Sequence, residues 1–416
     1  MPITRRSLVA STALAAAFAG RQARAAGRPT IKLGVLTDMS GTYSAETGRG
    51  SVACTEQAAV DSGEEFFGAT PHGVTIEVIS ADHQNKPDLG VSIARQWFDR
   101  EGVDAIVDGA ASSVALAVNT VVKQKNKVFL DSSSATPDLT GKACTPNTVH
   151  WPYDTYMLGR STGETLVKSG GDSWYFMTAD YVFGHDLQAS TTEFVKAGGG
   201  KVLGASAYPF PATTDFSSYL VRAKASGAKV IGLANAGTDT QNCVKQAHEF
   251  DVLTGGTRLA ALLMVITDVH ALGLAMTSGL VLTESFYWDL NDGTRAFTNR
   301  VLPQMPFRLY PNMFQAGCYS MVRHYLRAVA ALGAAAAKEN GAAAISQMKK
   351  MPVEDDVFGK TTIRADGRHL VPAYLFDVKS PAESKAPWDY YKLLATTPAD
   401  EAAVPLSQTG CYLDHT

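Results

Sequence analysis

Cysteine is scarce in this chain of 416 residues, and its five copies, Cys54, Cys144, Cys243, Cys318 and Cys411, stand far apart. No C-x-x-C occurs, so the spacing offers no zinc or dithiol motif and no metal is expected. A block of one charge is also missing. The 37 Lys and Arg nearly balance the 40 Asp and Glu, for a net charge of −3, which removes the basic surface that a nucleic-acid partner requires. Beyond the N-terminal segment no apolar run reaches the ~20 residues of a membrane helix. There is no G-x-S-x-G elbow, and Gly48-Arg49-Gly50 and Gly198-Gly199-Gly200 lack Walker or dinucleotide spacing. With no nucleophile beside an evident base, the sequence argues against an enzyme, and it implies no cofactor.

The N-terminus carries an export pattern. Thr4, Arg5 and Arg6 precede an Ala-rich stretch from Leu8 to Ala19, and Ala23-Arg24-Ala25 fits the small-x-small pattern cut by signal peptidase. Residues 1–25 therefore read as a signal peptide cleaved near Ala25. The Arg5-Arg6 pair before Ser7-Leu8 also suits the twin-arginine route. No Cys follows the cut to take a lipid, so the mature protein is expected to be freely soluble in the periplasm. That compartment lets disulfides persist. Cys144, in a turn-rich loop, and Cys411, near the end, read as a bridge that pins the tail 411–416. Cys54, Cys243 and Cys318 fall in helical patterns and read as small core residues.

The stretch from Val128 to Tyr156 organises the rest. The apolar run Val128-Phe129-Leu130 stops in a cluster of hydroxyl residues, Ser132 to Ser134 and Thr136, then passes through Pro137 to the aromatic segment Val149 to Tyr156. A buried strand ending in small polar residues presents N–H groups and hydroxyls at its carboxyl end, where open α/β sheets bind ligands. Before it, strands at Ile31–Thr37, Thr75–Ser80 and Ala105–Asp108 alternate with helical patterns. After it the rhythm restarts, with strands at Trp174–Thr178, Lys201–Ala207, Val230–Leu233, Leu259–Ile266 and Leu280–Phe286. A long helix from about Phe314 to Ala337 and short strands near Thr361, Tyr374 and Trp388 follow. This order predicts an α/β chain of two doubly wound, Rossmann-like halves with several crossings, the first at Val149 to Tyr156.

Polar residues recur at the predicted strand ends: Asp38 to Tyr43, Ser112-Ser113, Ser132 to Thr136, Ala179 to Tyr181, Asn235 to Asp239, Thr267-Asp268 and Phe286 to Trp288. Aimed at one crevice, they would line a small polar cleft with aromatic walls. A helix starting after Gly109 to Ser113 would turn unpaired N–H groups on a ligand anion. The plainer alternatives remain: Ser112 and Ser113 as N-caps, Ser132 to Ser134 as turn residues, Asp239 as a helix cap. The aromatics Tyr153, Tyr181, Phe286, Tyr287 and Trp288 read as core or as cleft wall, with at least two expected in the cleft. Asp82-His83-Gln84-Asn85 lacks a partner at ligand spacing and reads as a loop.

Taken together, Gly34-Val35-Leu36-Thr37-Asp38-Met39-Ser40-Gly41-x-Tyr43, Ala81 to Asp88, Leu139-Thr140-Gly141-Lys142, Asp180-Tyr181-x-Phe183-Gly184, Ala234-Asn235-Ala236-Gly237 and Phe286-Tyr287-Trp288-Asp289 resemble the periplasmic substrate-binding proteins of ABC importers, in the leucine/isoleucine/valine-binding-protein-like group. The resemblance implies the type I, Venus-flytrap fold, two lobes joined by three hinge crossings. Residues 27–148 and 288–365 would form the N-terminal lobe, and 149–287 and 366–410 the C-terminal lobe. It also implies a monomer that closes on a small carboxylate-bearing solute (an amino acid, aromatic acid or short amide) and delivers it to a membrane permease. The carboxylate would rest on the hydroxyl of Ser112 or Ser113 and on backbone groups among Ser133, Ala135 and Thr136. Tyr181 would come from the second lobe, and Asp239 and Asp268 stand nearest the positions that hold an amino group. The pairs Tyr287-Trp288 and Trp151-Pro152-Tyr153 suit a subgroup linked to aromatic carboxylates, short amides and other small acids. A soluble ligand sensor of the same fold and a periplasmic amidase are the alternatives.

Overall fold

A computed structural model describes residues 28–68 and 73–415; the signal-peptide reading of residues 1–25 lies outside them. The short apolar runs at the centre of each sheet become parallel strands because they are covered on both faces and so carry apolar side chains on both. In the first lobe β1 (Thr30–Thr37), α1 (Gly48–Ser62), β2 (Thr75–Asp82), α2 (Pro87–Gln96), β3 (Ala105–Asp108), α3 (Ser112–Lys125), β4 (Val128–Asp131) and β5 (Thr148–His150) build a parallel sheet of order β2-β1-β3-β4-β5. Every residue of β3 and β4 is buried, whereas the edge strand β2 alternates with partly exposed positions. Gly34 in β1 is fixed by contact, since a Cβ there would sit 2.4 Å from the Trp97 ring.

The second lobe continues with α4 (Thr155–Lys168), β6 (Ser173–Ala179), α5 (Val182–Ala197), β7 (Lys201–Tyr208), α6 (Ser217–Ala225), β8 (Val230–Ala234), α7 (Gly237–Glu249), β9 (Arg258–Ala261), α8 (Ile266–Leu272), α9 (Leu274–Thr277) and β10 (Val281–Glu284). The chain then returns to the first lobe through α10 (Asp292–Val301), α11 (Met313–Leu332), α12 (Ala334–Glu339) and α13 (Gly341–Lys350), and α11 packs along α1. A small antiparallel sheet of β11 (Val353–Asp355), β12 (Gly359–Ile363) and β13 (His369–Leu370) precedes β14 (Ala373–Val378) and β15 (Tyr391–Thr397). The last two add antiparallel to the second sheet, whose order is β15-β14-β10-β9-β8-β6-β7.

The chain thus passes between lobes three times, after β5, after β10 and after β13. One buried side chain ties the first and third passages. The Arg368 guanidinium donates to the carbonyls of Trp151 (2.8 Å) and Tyr153 (3.2 Å) and lies 3.3 Å from the Asp154 carboxylate. Asp154 in turn caps α4 by accepting the Met157 N–H at 2.8 Å. Cys144 and Cys411 form a disulfide with a Cα–Cα distance of 5.7 Å, while Cys54, Cys243 and Cys318 are buried free thiols.

Several sequence expectations shift. Val149 does not begin the crossing: it pairs with Leu130 as the middle of a fifth strand, because Thr148 to His150 completes the edge of the first sheet. The apolar run at Leu259 leaves the sheet at Ala261, and its remainder, Leu262 to Val265, is a buried turn leading into α8. The long helix from Phe314 stops at Leu332, where Gly333 takes φ 85°.

Candidate ligand-binding site

The carboxyl ends of the parallel strands in both sheets face one narrow cavity between the lobes. From the first lobe, β3 ends at Asp108, whose positive φ of 85° and the following Gly109 (φ 100°) turn the chain sharply into α3. Ser112 opens that helix, and no side chain caps its N-terminus, so the first-turn N–H groups point toward the cavity end. The Ser112 hydroxyl accepts the Ala135 N–H at 3.3 Å, which leaves its own hydrogen to donate. Ser133 also lines the cavity, but its hydroxyl is given to the Asp108 carboxylate and its carbonyl accepts the Tyr153 hydroxyl at 2.7 Å. Ser132 and Ser134 turn away, toward the Phe314 carbonyl and the Asp131 carboxylate. The hydroxyl cluster after β4 is therefore mostly spent on holding its own loop.

The second lobe contributes Tyr181 and Phe183 from the start of α5, which also lacks a side-chain cap, together with Ala236 and Leu263. Phe210 stacks between Tyr181 (centroids 4.4 Å apart) and Tyr43 of the first lobe (5.7 Å), and the Tyr43 and Tyr181 hydroxyls meet at 2.5 Å. Burial raises the phenol pKa of Tyr43, Tyr153 and Tyr181, so all three are neutral donors. Tyr43 is placed by Asp38, whose carboxylate accepts the N–H groups of Ser40, Gly41 and Tyr43 and the Asn85 amide. Glu46, on the same loop, lines the cavity from the first lobe and accepts the Gly237 N–H of the second at 2.9 Å.

Of the residues named from the sequence, the fold brings Ser112, Ser133, Ala135, Tyr153 and Tyr181 together around the cavity. The others lie elsewhere. Ser113 is half-buried beside it, and Thr136 caps the turn at Pro137–Thr140 by accepting the Asp138 N–H. Asn235 is spent internally, accepting the Thr240 hydroxyl and donating to the Cys243 sulfur. Asp239 accepts the Tyr208 hydroxyl at 2.9 Å, and burial pushes its pKa up to about 6. Asp268 does not close a strand; it sits in the first turn of α8 and takes the Val265 N–H and the Gln241 amide. Tyr287 and Trp288 do not line the cavity; they pack against the second lobe's core, where both donate to the Trp388 carbonyl.

Tyr43, Glu46, Phe183, Leu263 and Phe314 complete the wall without having been singled out as site residues. Tyr43 closes the predicted strand end Asp38 to Tyr43, and Phe183 lies two residues beyond Tyr181 in the Asp180-Tyr181-x-Phe183-Gly184 motif. Glu46 left a fainter signal, a lone acid among small residues just ahead of a helix. Phe314 left none, because it arrives with α11 after the second passage between lobes.

The periplasmic binding protein family matches residues 30–385. A periplasmic binding protein from Burkholderia mallei superposes with a TM-score of 0.86 at 44% identity, over 92% of this chain and 99% of that one. A branched-chain amino acid ABC transporter ligand-binding protein from Burkholderia xenovorans gives 0.79 at 36% identity, over 92% and 100%. A solute-binding protein of R. palustris solved with benzoate shares the fold, with a TM-score of 0.79 at 20% identity over 92% and 99%. Among curated relatives, a Leu/Ile/Val-binding protein homolog of Brucella melitensis is 26% identical over 255 residues, 60% of this chain, and the match spans 63% of its own length. With two parallel-sheet lobes, three passages between them and a cavity at the facing strand ends, the chain belongs to the periplasmic binding protein family of ABC transporters, type I fold.

Proposed function

We propose that this protein captures one small aromatic carboxylate between its lobes in the periplasm and hands it, unchanged, to the membrane permease of an ABC importer. The supporting observation is the pairing of an uncapped α3 N-terminus and the free Ser112 hydrogen with a wall of Tyr43, Tyr153, Tyr181, Phe183 and Phe314. The helix end and hydroxyl suit an anion, and the rings suit an apolar, planar body. Capture needs no chemical step. A ligand touching both lobes shifts the open and closed populations by its differential affinity for the closed state. Excluding water then strengthens each hydrogen bond to the carboxylate.

The test is calorimetry on the mature protein with benzoate, 4-hydroxybenzoate, benzamide and leucine. One-to-one binding of the two acids, recovered intact, with benzamide weaker by roughly 10-fold or more for loss of charge-assisted bonds, is the expected result. Tight leucine binding with no response to the acids would replace the aromatic reading with an amino-acid one. Turnover of the amide would make the protein a hydrolase.

A further inference from the structure

Helix α7 of the second lobe begins without a side-chain cap, and the first lobe supplies what its N-terminus lacks. Glu46 Oε1 accepts the Gly237 N–H at 2.9 Å, and the Thr42 carbonyl accepts the Thr238 N–H at 3.1 Å. The approach demands glycine, since Gly237 has φ 61° and a Cβ would fall 2.2 Å from the Thr42 carbonyl oxygen. The Glu46 carboxyl also hydrogen-bonds the carboxyl of Asp268 on α8, whose oxygens already accept the Val265 N–H at 3.0 Å and the Gln241 amide at 2.7 Å. Both acids are buried. A carboxyl–carboxyl hydrogen bond requires a proton, because two buried carboxylates in contact cannot both ionise. The ionisable groups around the pair do not offer the missing positive charge: they are Glu284 from β10 and the phenols of Tyr153, Tyr181 and Tyr391. The one anion that remains is favoured by the α7 N-terminus at Glu46 and by the first turn of α8 and the Gln241 amide at Asp268.

We propose that Glu46 is a positioning residue for ligand capture: closing the lobes takes up one proton, held between Glu46 and Asp268, so that affinity falls as pH rises. This rests on the reading of the cavity as the ligand site. Opening withdraws Glu46 from Gly237 and Asp268 into water, where it ionises in the ordinary carboxylate range. Burial, and then the charge of Asp268, hold the closed-state Glu46 well above that range. The sign follows: closure is favoured below the open-state value of about 4.3, weakens up to tenfold per pH unit above it, and levels off above the closed-state value.

The experiment is small-angle scattering of the ligand-free mature protein from about pH 5 to about pH 9, for wild type and Glu46→Gln. The glutamine carbonyl can still accept the Gly237 N–H while its amide donates to ionised Asp268, so the latch stands without a proton. The wild-type radius of gyration should grow toward alkaline pH and that of Glu46→Gln should stay small. A flat wild-type profile, or a variant that follows the wild type, overturns the proposal. If circular dichroism shows Glu46→Gln misfolded, Asp268→Asn, whose amide donates to Glu46, takes its place with the same expectation. Calorimetry with benzoate in buffers of different ionisation enthalpy should show about one proton taken up by wild type and none by the variant. Failure of benzoate to bind would strike the ligand assignment alone, since the scattering result stands without it.

Discussion

Tyr43, Tyr153 and Tyr181 around the cavity, and Tyr287, Trp288 and Trp388 away from it in the second lobe's core, are two clusters of the same kind of residue. They differ in where their polar tips go. Around the cavity the Tyr43 and Tyr181 hydroxyls meet across the lobes, and such a pair retains a hydrogen for a third partner. Away from the cavity the Tyr287 hydroxyl and the Trp288 indole N–H converge on the Trp388 carbonyl, and the Trp388 ring stacks with His270 (4.0 Å) and Tyr310 (4.8 Å). A buried acid sits near each group. Glu46 accepts the Gly237 N–H of the other lobe, whereas Glu284 is held by the Tyr391 hydroxyl at 2.8 Å and by the Met313 N–H at the start of α11. The cavity group is built to change partners, and the Trp388 group has its partners already.

The largest effect expected from this contrast is on stability against pH. Burial pushes Glu284 up to about 8, so it is protonated in the fold and ionised once unfolded. A raised folded value means that stability is fully present below the unfolded value of about 4.3 and is lost as pH rises toward 8, by roughly 3–5 kcal/mol. Glu284→Gln should remove that loss, giving a gain over wild type in urea unfolding at pH 8 that vanishes near pH 4.5, with ligand affinity unchanged. An equal gain at both pH values would mean that the acid does not titrate on unfolding. Next in size, Trp388→Ala should cost about 3 kcal/mol of stability, as expected for a large buried ring, and leave affinity alone. Tyr181→Ala should do the reverse, weakening ligand binding by about 2 kcal/mol, near 30-fold, with the smaller change in melting temperature. A Trp388→Ala protein that loses affinity as steeply as Tyr181→Ala would erase the distinction between the two groups.

The same contrast marks what the sequence could reveal. Alternating strands and helices were legible because strands covered on both faces read as short apolar runs; their polar endings pointed to Ser112, Ser133, Ala135 and Tyr181, and the aromatic crossing segment to Tyr153. An apolar run does not say where pairing stops, which is why Leu262 to Val265, a buried turn, read as strand and carried Asp268 with it to a strand end. Nor does an aromatic at a strand end say which side of the lobe it faces. Tyr287 and Trp288 stay out of the cavity because Trp388, a hundred residues later, offers them a carbonyl at a backbone φ of 67° that only the folded loop defines. Glu46 owes its place to a contact between lobes and Phe314 to the return of α11 onto Ser132 and Tyr153, and local pattern encodes neither.

The smallest effect tests which part of the α3 end holds the anion. Ser112 is buried and accepts the Ala135 N–H, so Ser112→Ala removes a donor to the ligand and leaves one backbone N–H without its partner. The helix keeps its first-turn N–H groups, so the loss should be about 1 kcal/mol of binding, roughly fivefold, measured by calorimetry on a folded protein. Ser133→Ala is the matched control. Its hydroxyl is committed to the buried Asp108 carboxylate, whose pKa burial already raises, so its removal should lower the melting temperature and spare affinity. If both variants bind as wild type does, the anion rests on the backbone N–H groups of α3 alone, and the hydroxyl after the third strand serves only to hold Ala135.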